Sequence, residues 1–544
     1  MRWKDRFNKI KNNSIVNKII DFIFRKYPGQ LVIVLVLLMA VNVNFKYKLW
    51  NWENKVISWD IISYYAYLPA TFIYNDISLE FAEENPEKFG DKIWYFKSQT
   101  GKNTIITSMG LAFLYMPFFL IAHLFAPWLG FEASGYTAPY SFALIFSCLA
   151  YLIVGLHFLR KLLERYFSKQ VTAVVLFSVV IGTNLYYYVT IEAAMSHGFN
   201  FSLISVLLYL TDSWYRDKKY ATAAWLGLVF GLIVLIRPTN IIVVLLLFFW
   251  GITSFKGLGD RILFYLKAWP KLLVMIFFFF LVWVPQFAYW KYVSGSFLYY
   301  TYGEYDASFF FNNPQILKSL FSYRKGWLIY TPIMALGLIG LISLFRQRRE
   351  LFWPVTIYAL VLIYVLSSWW CWWFGGGYGL RSYIDGYAAL AIPLAAFITF
   401  FMKRKIIYRI VVLVVIGFLI WLNTFQMRQY LTGAIHWMSM TKEAYWETFL
   451  KEYPTDEYKE ALRYPDYPAA KKGIYRSTDP DTTNPWTGER IYPEPDSVKV
   501  REIEESIRNN PALLEDIREK AEERNISLDS MIKLDAIWIL RNKK

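Results

Sequence analysis

The chain has 544 residues, 56% of them hydrophobic and 20% aromatic, and a formal net charge of +16. A composition this apolar excludes an ordinary soluble fold of that length, because lipid has to supply part of the solvent. The only two cysteines, Cys148 and Cys371, have no CxxC spacing, which excludes a disulfide framework and a thiolate metal site. Lys and Arg fall in short clusters between apolar runs rather than on one soluble face, so they read as topology signals, and nucleic acid is not an expected partner.

Residues 1–28 mix Arg2, Lys4, Arg6, Lys9 and Lys11 with Ile10, Ile15, Val16, Ile19, Ile20 and Phe22, a basic amphipathic pattern that places them on the cytoplasmic membrane surface. The first apolar run begins near residue 30 without a small-residue cleavage pattern after it. It is therefore expected to remain as the first span of a transmembrane domain over residues 29–428. With the N-terminus inside, residues 46–106 form the first outer loop. Residues 108–129 are apolar enough to cross, but counting them as a span would put the basic loop 160–169 outside, so they read as a skimming or re-entrant helix. Spans are then expected over 136–159, 171–190 and 199–210. The run 221–254 is broken at Arg237-Pro238-Thr239-Asn240, where Pro238 cannot donate a backbone hydrogen bond, and reads as a hairpin of two short spans. Further spans follow over 272–290, 327–345, 352–369, 387–402 and 406–424.

The expected fold class is thus an all-α polytopic transmembrane protein of about eleven spans, with interfacial helices in the first outer loop. From residue 429 the sequence turns charged and Pro-rich, and residues 429–544 are expected to form a small, mostly helical, soluble domain outside the membrane. Its apolar spacing over 504–540 suggests two short packed helices, and residues 479–495 read as an irregular connector. No internal repeat of the transporter kind is visible.

Several polar residues stand out at membrane edges. Asp60 follows Trp59 soon after the first span and precedes Ser63-Tyr64-Tyr65-Ala66-Tyr67, an aromatic stretch suited to the water–lipid boundary. It reads either as a helix N-cap or as a general base. Glu192 and His197 share a short outer turn, which is either an ordinary helix end or an acid–imidazole site. Arg237, inside an apolar run, has to reach a polar cavity or the surface. Arg381 follows Gly375-Gly376-Gly377-Tyr378-Gly379, where backbone can approach a ligand and a phosphate could sit, although the lack of a preceding strand excludes a nucleotide loop. Lys102 lies just before the skimming helix, in reach of an anionic lipid or simply solvated. The cluster Trp369-Trp370-Cys371-Trp372-Trp373-Phe374 belongs to an aromatic belt or stacks on a sugar.

The order of first span, acidic residue, interfacial helix and second skimming helix resembles the GT-C superfold of membrane glycosyltransferases, which includes protein O-mannosyltransferases and the aminoarabinose transferase of lipid A. The resemblance covers roughly residues 32–425 and extends to Glu192-Ala193-Ala194-Met195-Ser196-His197, Leu235-Ile236-Arg237-Pro238-Thr239-Asn240 and Gly375-Gly376-Gly377-Tyr378-Gly379-Leu380-Arg381. It implies a catalytic role for Asp60, with Glu192 as the second carboxylate. Lys102, Arg237 and Arg381 would bind the donor phosphate, and His197, Tyr64 and Tyr65 the acceptor or sugar. Asp60 has no acidic neighbour where many members carry a pair, so no metal or other cofactor is expected, although a divalent ion stays open. The implied partners are a polyprenyl-phosphate-linked sugar, a lipid, glycan or protein acceptor, and membrane lipids. The implied place is a bacterial-type inner membrane, with the site and the C-terminal domain outside. A lipid or glycan transporter and an envelope scaffold are the rival classes.

Overall fold

The computed structural model describes residues 26–478, 497–523 and 526–542. The basic segment expected over 1–28 lies outside the described residues up to residue 25, as does the connector expected over 479–495. The chain divides into two compact units, Met1–Tyr458 and Lys459–Lys544.

Among the described residues the first unit is mostly helical. In chain order its main helices are α1 (Pro28–Tyr47), α2 (Asp60–Tyr65), α3 (Tyr67–Phe72), α4 (Gly110–Phe125), α5 (Ala138–Leu163), α6 (Lys169–Ile181), α7 (Ser196–Asp217) and α8 (Tyr220–Ile236). They continue as α9 (Phe255–Lys267), α10 (Trp269–Leu281), α11 (Ile333–Gln347), α12 (Arg349–Ser367), α13 (Tyr387–Met402) and α14 (Ile406–Thr432). A two-residue hairpin pair, β1 (Phe96–Lys97) and β2 (Asn103–Thr104), interrupts the first long loop.

Among the described residues, five helical segments are long and apolar enough to cross a bilayer, or six if the bent pair α9–α10, with its 79° break, is one span. This makes the chain an integral membrane protein. The five are α1 with the short turn after it, α5, α12, the segment Arg381–Met402 that includes α13, and α14. Other apolar runs of the expected eleven form shorter helices. Among the shorter apolar helices are Gly110–Phe125, Lys169–Ile181, Tyr220–Ile236, Pro238–Phe249 and Ile333–Gln347. The run expected over 272–290 also breaks, after Leu281, and resumes as Val284–Ser294. Lipid-facing surface is plain on α14, where Ile406, Ile407, Ile410, Val411, Val414 and Phe418 are all exposed.

With apolar lipid outside, helices associate by close packing at small residues. Gly155 of α5 sits so near Ser202 of α7 that an added Cβ would lie 2.5 Å from its Cα, and Gly340 of α11 abuts the Pro393 carbonyl of α13 in the same way. These contacts fix α7, which carries His197 and Asn200, and α13, which follows directly on the segment that holds Arg381 and Asp385.

The first unit runs past the composition change at residue 429. Gln429 donates from Nε2 to the Thr448 carbonyl at 2.6 Å, Gln426 to the Tyr445 hydroxyl at 2.9 Å, and Arg324 to the Met438 carbonyl at 2.7 Å. Among its described residues the second unit holds a small strand pair, β3 (Tyr464–Pro465) with β4 (Ser477–Thr478), the short helix Tyr467–Ala470, and three longer helices, α15 (Ser497–Arg508), α16 (Pro511–Glu523) and α17 (Leu528–Asn542). Val500, Ile507, Ile517, Ala521, Met531, Ile532 and Ala536 form the core of these helices. Three helices stand where the spacing suggested two, because Asn510 caps α16 through the Leu513 amide and Pro511 opens it.

Candidate functional site

Asp60 is the first residue of α2, and the capping position before it is Trp59, whose φ of +51° is unusual for a bulky side chain. No side chain caps this helix, so the N-cap reading of Asp60 does not hold. Its carboxylate instead accepts a hydrogen bond from Arg381 Nη2 at 2.7 Å, with 45% of the Asp60 side chain and 17% of the Arg381 side chain exposed. Arg381 opens the short 3-10 segment Arg381–Gly386 that leads into α13.

The glycines before it shape the ground behind this pair. Gly377 has φ +127° and lies against the Tyr188 hydroxyl, so no side chain fits there. Its carbonyl accepts a hydrogen bond from the ammonium of Lys325, which also reaches the Gly379 carbonyl at 3.4 Å. Lys325 is buried, and burial, aided by the nearby Arg381 charge, pushes its amine down from 10.5 to about 7. Glu192 sits in the turn between α6 and α7 and accepts from the Tyr187 hydroxyl at 3.0 Å. Burial raises its carboxyl above the usual range, against the lowering pull of Arg381. Tyr115 of α4 donates to the Ala194 carbonyl and ties this turn down.

A second polar cluster surrounds Asp385, whose carboxylate, with His197, Asn200 and Asn240, is closed off from water. Asp385, in the same 3-10 segment as Arg381, accepts from Asn240 Nδ2 at 2.8 Å, Asn200 Nδ2 at 3.3 Å and Arg237 Nη1 at 3.4 Å, and lies 3.3 Å from His197 Nδ1. Arg237 Nη1 is also 3.0 Å from His197 Nδ1. That imidazole nitrogen either donates to Asp385 or accepts from Arg237, according to its tautomer. His197 is in the first turn of α7, Asn200 one turn on, and Arg237 and Asn240 flank the break after α8. The extended backbone of Arg237, φ −143° and ψ 103°, ends α8 where Pro238 denies it a further amide donor.

The structure therefore gathers Asp60, Arg381, Glu192, His197, Arg237 and Tyr64 at one end of the helices. Tyr64 is within electrostatic range of Asp60, Arg237 and Arg381, and so is Tyr302 from a later loop. Tyr65 is not part of this group: it turns into the core, donates to the Gly135 carbonyl and packs on Phe119 and Tyr136. Lys102 is also elsewhere, its ammonium 3.5 Å from the centre of the Tyr292 ring. Asp385, Lys325 and Tyr302 were missed in the sequence. The one available signal was that Asp385 follows directly on the glycine-rich Arg381 motif. Among the described residues no group of three His, Cys, Asp or Glu side chains is placed to hold a metal ion.

Chemically, the arrangement sets an accessible carboxylate beside guanidinium groups in a partly dehydrated edge of the membrane domain. Such a site can take a proton from a hydroxyl and can neutralise a phosphate.

No protein-family model matches the chain, and no curated protein matches it. Among solved structures it is similar to the archaeal oligosaccharyltransferase AglB from Archaeoglobus fulgidus in complex with an inhibitory peptide and a dolichol-phosphate. That likeness has 12% identity and a TM-score of 0.42, over 93% of this chain and 60% of that one. The apo form of the Archaeoglobus fulgidus oligosaccharyltransferase gives 14% identity and a TM-score of 0.39, over 93% of this chain and 60% of that one. Its complex with zinc and sulfate gives 15% and 0.40, over 80% of this chain and 59% of that one. The chain thus spans about 60% of the length of the structures it is similar to. At these values the functional reading stands on the chain's own residues.

Proposed function

We propose that this chain is a GT-C-type membrane glycosyltransferase that moves a sugar from a polyprenyl-phosphate donor to an acceptor hydroxyl on the extracytoplasmic face of a bacterial-type inner membrane. The observation that carries the reading is the half-exposed Asp60 carboxylate at the head of α2, held by Arg381 at 2.7 Å, at the edge of an assembly of long apolar helices. Nothing nucleotide-like is needed there, because a lipid-linked donor brings its own phosphate leaving group.

In this reading the acceptor oxygen bonds to the anomeric carbon as the bond from that carbon to the phosphate oxygen breaks. Asp60 takes the acceptor's proton, and attack opposite the departing phosphate inverts the anomeric centre. The phosphate gains negative charge as it leaves, and Arg381 and Arg237 neutralise it. Tyr64 offers a ring and a hydroxyl to the sugar or acceptor. Glu192, half-buried and held by Tyr187, is the second carboxylate, better suited to keeping Arg381 and Lys325 in place than to meeting a hydroxyl. Lys102 and Tyr65 take no part.

The test is transfer by purified protein in lipid nanodiscs, with a polyprenyl-phosphate-linked sugar and a hydroxyl acceptor, followed by mass spectrometry of donor and product. Release of polyprenyl phosphate together with a glycosylated acceptor is the expected result. Movement of intact donor between leaflets of proteoliposomes, without bond cleavage, would replace the reading with that of a transporter.

A further inference from the structure

We propose that Asp385 is a positioning residue: together with His197, Asn200 and Asn240 it anchors one nitrogen of Arg237, so that the rest of the guanidinium is presented to the donor phosphate. The inference rests on the reading of this site as one that binds a polyprenyl-phosphate donor.

The geometry carries it in three steps. First, Asp385 cannot meet substrate itself, since it is 1% exposed and lies among His197, Asn200 and Asn240, which are 2%, 0% and 3% exposed. Second, its carboxylate receives more than the charge balance requires. One guanidinium would neutralise it, yet two amide groups also donate to it and an imidazole lies beside it. Such neutral donors fix direction rather than charge. Third, every hydrogen bond of Arg237 leaves from Nη1, toward His197 and Asp385, while Nε and Nη2 make none among the described residues. The side chain is 15% exposed, so those donors are not sealed in the core.

An arginine at a helix break has a long flexible stem, and ordering it costs entropy each time a ligand binds. Anchoring one nitrogen in advance removes that cost, and the planar fork then sets the direction of the remaining N–H groups. Tyr64 and Tyr302 lie in electrostatic range of Asp60, Arg237 and Arg381 alike, so Arg237 stands near the Asp60 pair.

The test is a double-mutant cycle on the full chain in nanodiscs, measuring the affinity for undecaprenyl phosphate of wild type, Asp385→Asn, Arg237→Ala and the double variant. If Asp385 acts through Arg237, each single variant is expected to bind about tenfold more weakly and the double no more weakly than Arg237→Ala. Two losses that multiply would overturn the positioning role, as would wild-type affinity in Asp385→Asn. If Asp385→Asn does not yield monodisperse protein, Asn240→Leu, which removes one donor from the same carboxylate, enters the cycle under the same criterion. A wild type that does not bind undecaprenyl phosphate would overturn the underlying reading as well, whereas binding with additive losses would overturn this inference alone.

Discussion

Arg381 and Asp385 belong to one short 3-10 segment, and each forms an ion pair with a residue far away in the chain. The pair with Asp60 is wet, a single hydrogen bond with nearly half of the carboxylate side chain exposed. The pair with Arg237 is dry at the carboxylate, which is enclosed by an imidazole and two amides, while 15% of the Arg237 side chain is exposed. A fully exposed ion pair contributes only about 0–1 kcal/mol, and it is the Asp60 end of this pair, not Arg381, that approaches that state. Removing one member of a buried pair costs about 3–5 kcal/mol, because a charge is left without compensation. The same chemical pair therefore serves opposite ends. On the proposed reading, a donor phosphate takes Arg381 and leaves Asp60 free to accept a proton, whereas Asp385 is suited only to hold.

This contrast can be broken from either side. Arg381→Ala should give the larger effect, since it removes both the partner that phosphate competes for and a charge on the leaving group. A loss of about a thousandfold in kcat/KM is expected, measured by donor-saturation kinetics. A variant within tenfold of wild type would mean that the wet pair is an ordinary surface contact.

A smaller effect concerns the lysine behind the glycine loop. Burial and Arg381 depress the Lys325 amine from 10.5 to about 7 in the folded chain. Between those pH values the unfolded chain holds the proton and the folded chain does not. Stability from this group is therefore fully present above pH 10.5 and lost as pH falls through about 7. Thermal unfolding followed across that window should show a rise with pH that Lys325→Met flattens. Parallel curves for the two proteins would place the amine in a wetter setting than the Gly377 and Gly379 carbonyls provide.

The smallest effect is expected at Lys102, whose ammonium rests on the Tyr292 ring away from both pairs. Lys102→Ala should stay within about twofold of wild type in kcat/KM, since solvated surface charges contribute little. A large loss would bring the β1–β2 hairpin into the site.

How much of this could be read from the sequence follows from range. The break at Arg237 was legible because Pro238 acts on its own neighbours, and the long spans because apolar runs declare themselves. Asp60, Glu192, His197, Arg237 and Arg381 stood out as polar residues at membrane edges, but their pairings did not. Arg381 meets Asp60 across 321 residues, and Asp385 meets Asn240 across 145, separations over which no local pattern operates. Asp385 reads locally as a loop acid before a glycine, so nothing announced a buried role. Tyr64 and Tyr65 are adjacent, and successive helical side chains point about 100° apart, so one can face the site while the other enters the core. Only the packing of α2 on α4 and the loop before α5 decides which. Lys102 was chosen for its closeness in sequence to α4, but the turn between β1 and β2 directs it elsewhere.

The central claim is that Asp60 is the proton acceptor, and the direct measurement compares Asp60→Asn with Glu192→Gln. Both are tested in single turnovers at saturating donor, with affinity for the donor lipid measured alongside. Asp60→Asn keeps shape and hydrogen bonding while removing the charge, so the transfer rate should fall by about two to four orders of magnitude with donor binding nearly intact. Glu192→Gln should retain most of its turnover. Near-normal turnover in Asp60→Asn with loss in Glu192→Gln would contradict the account and move the base to the turn between α6 and α7.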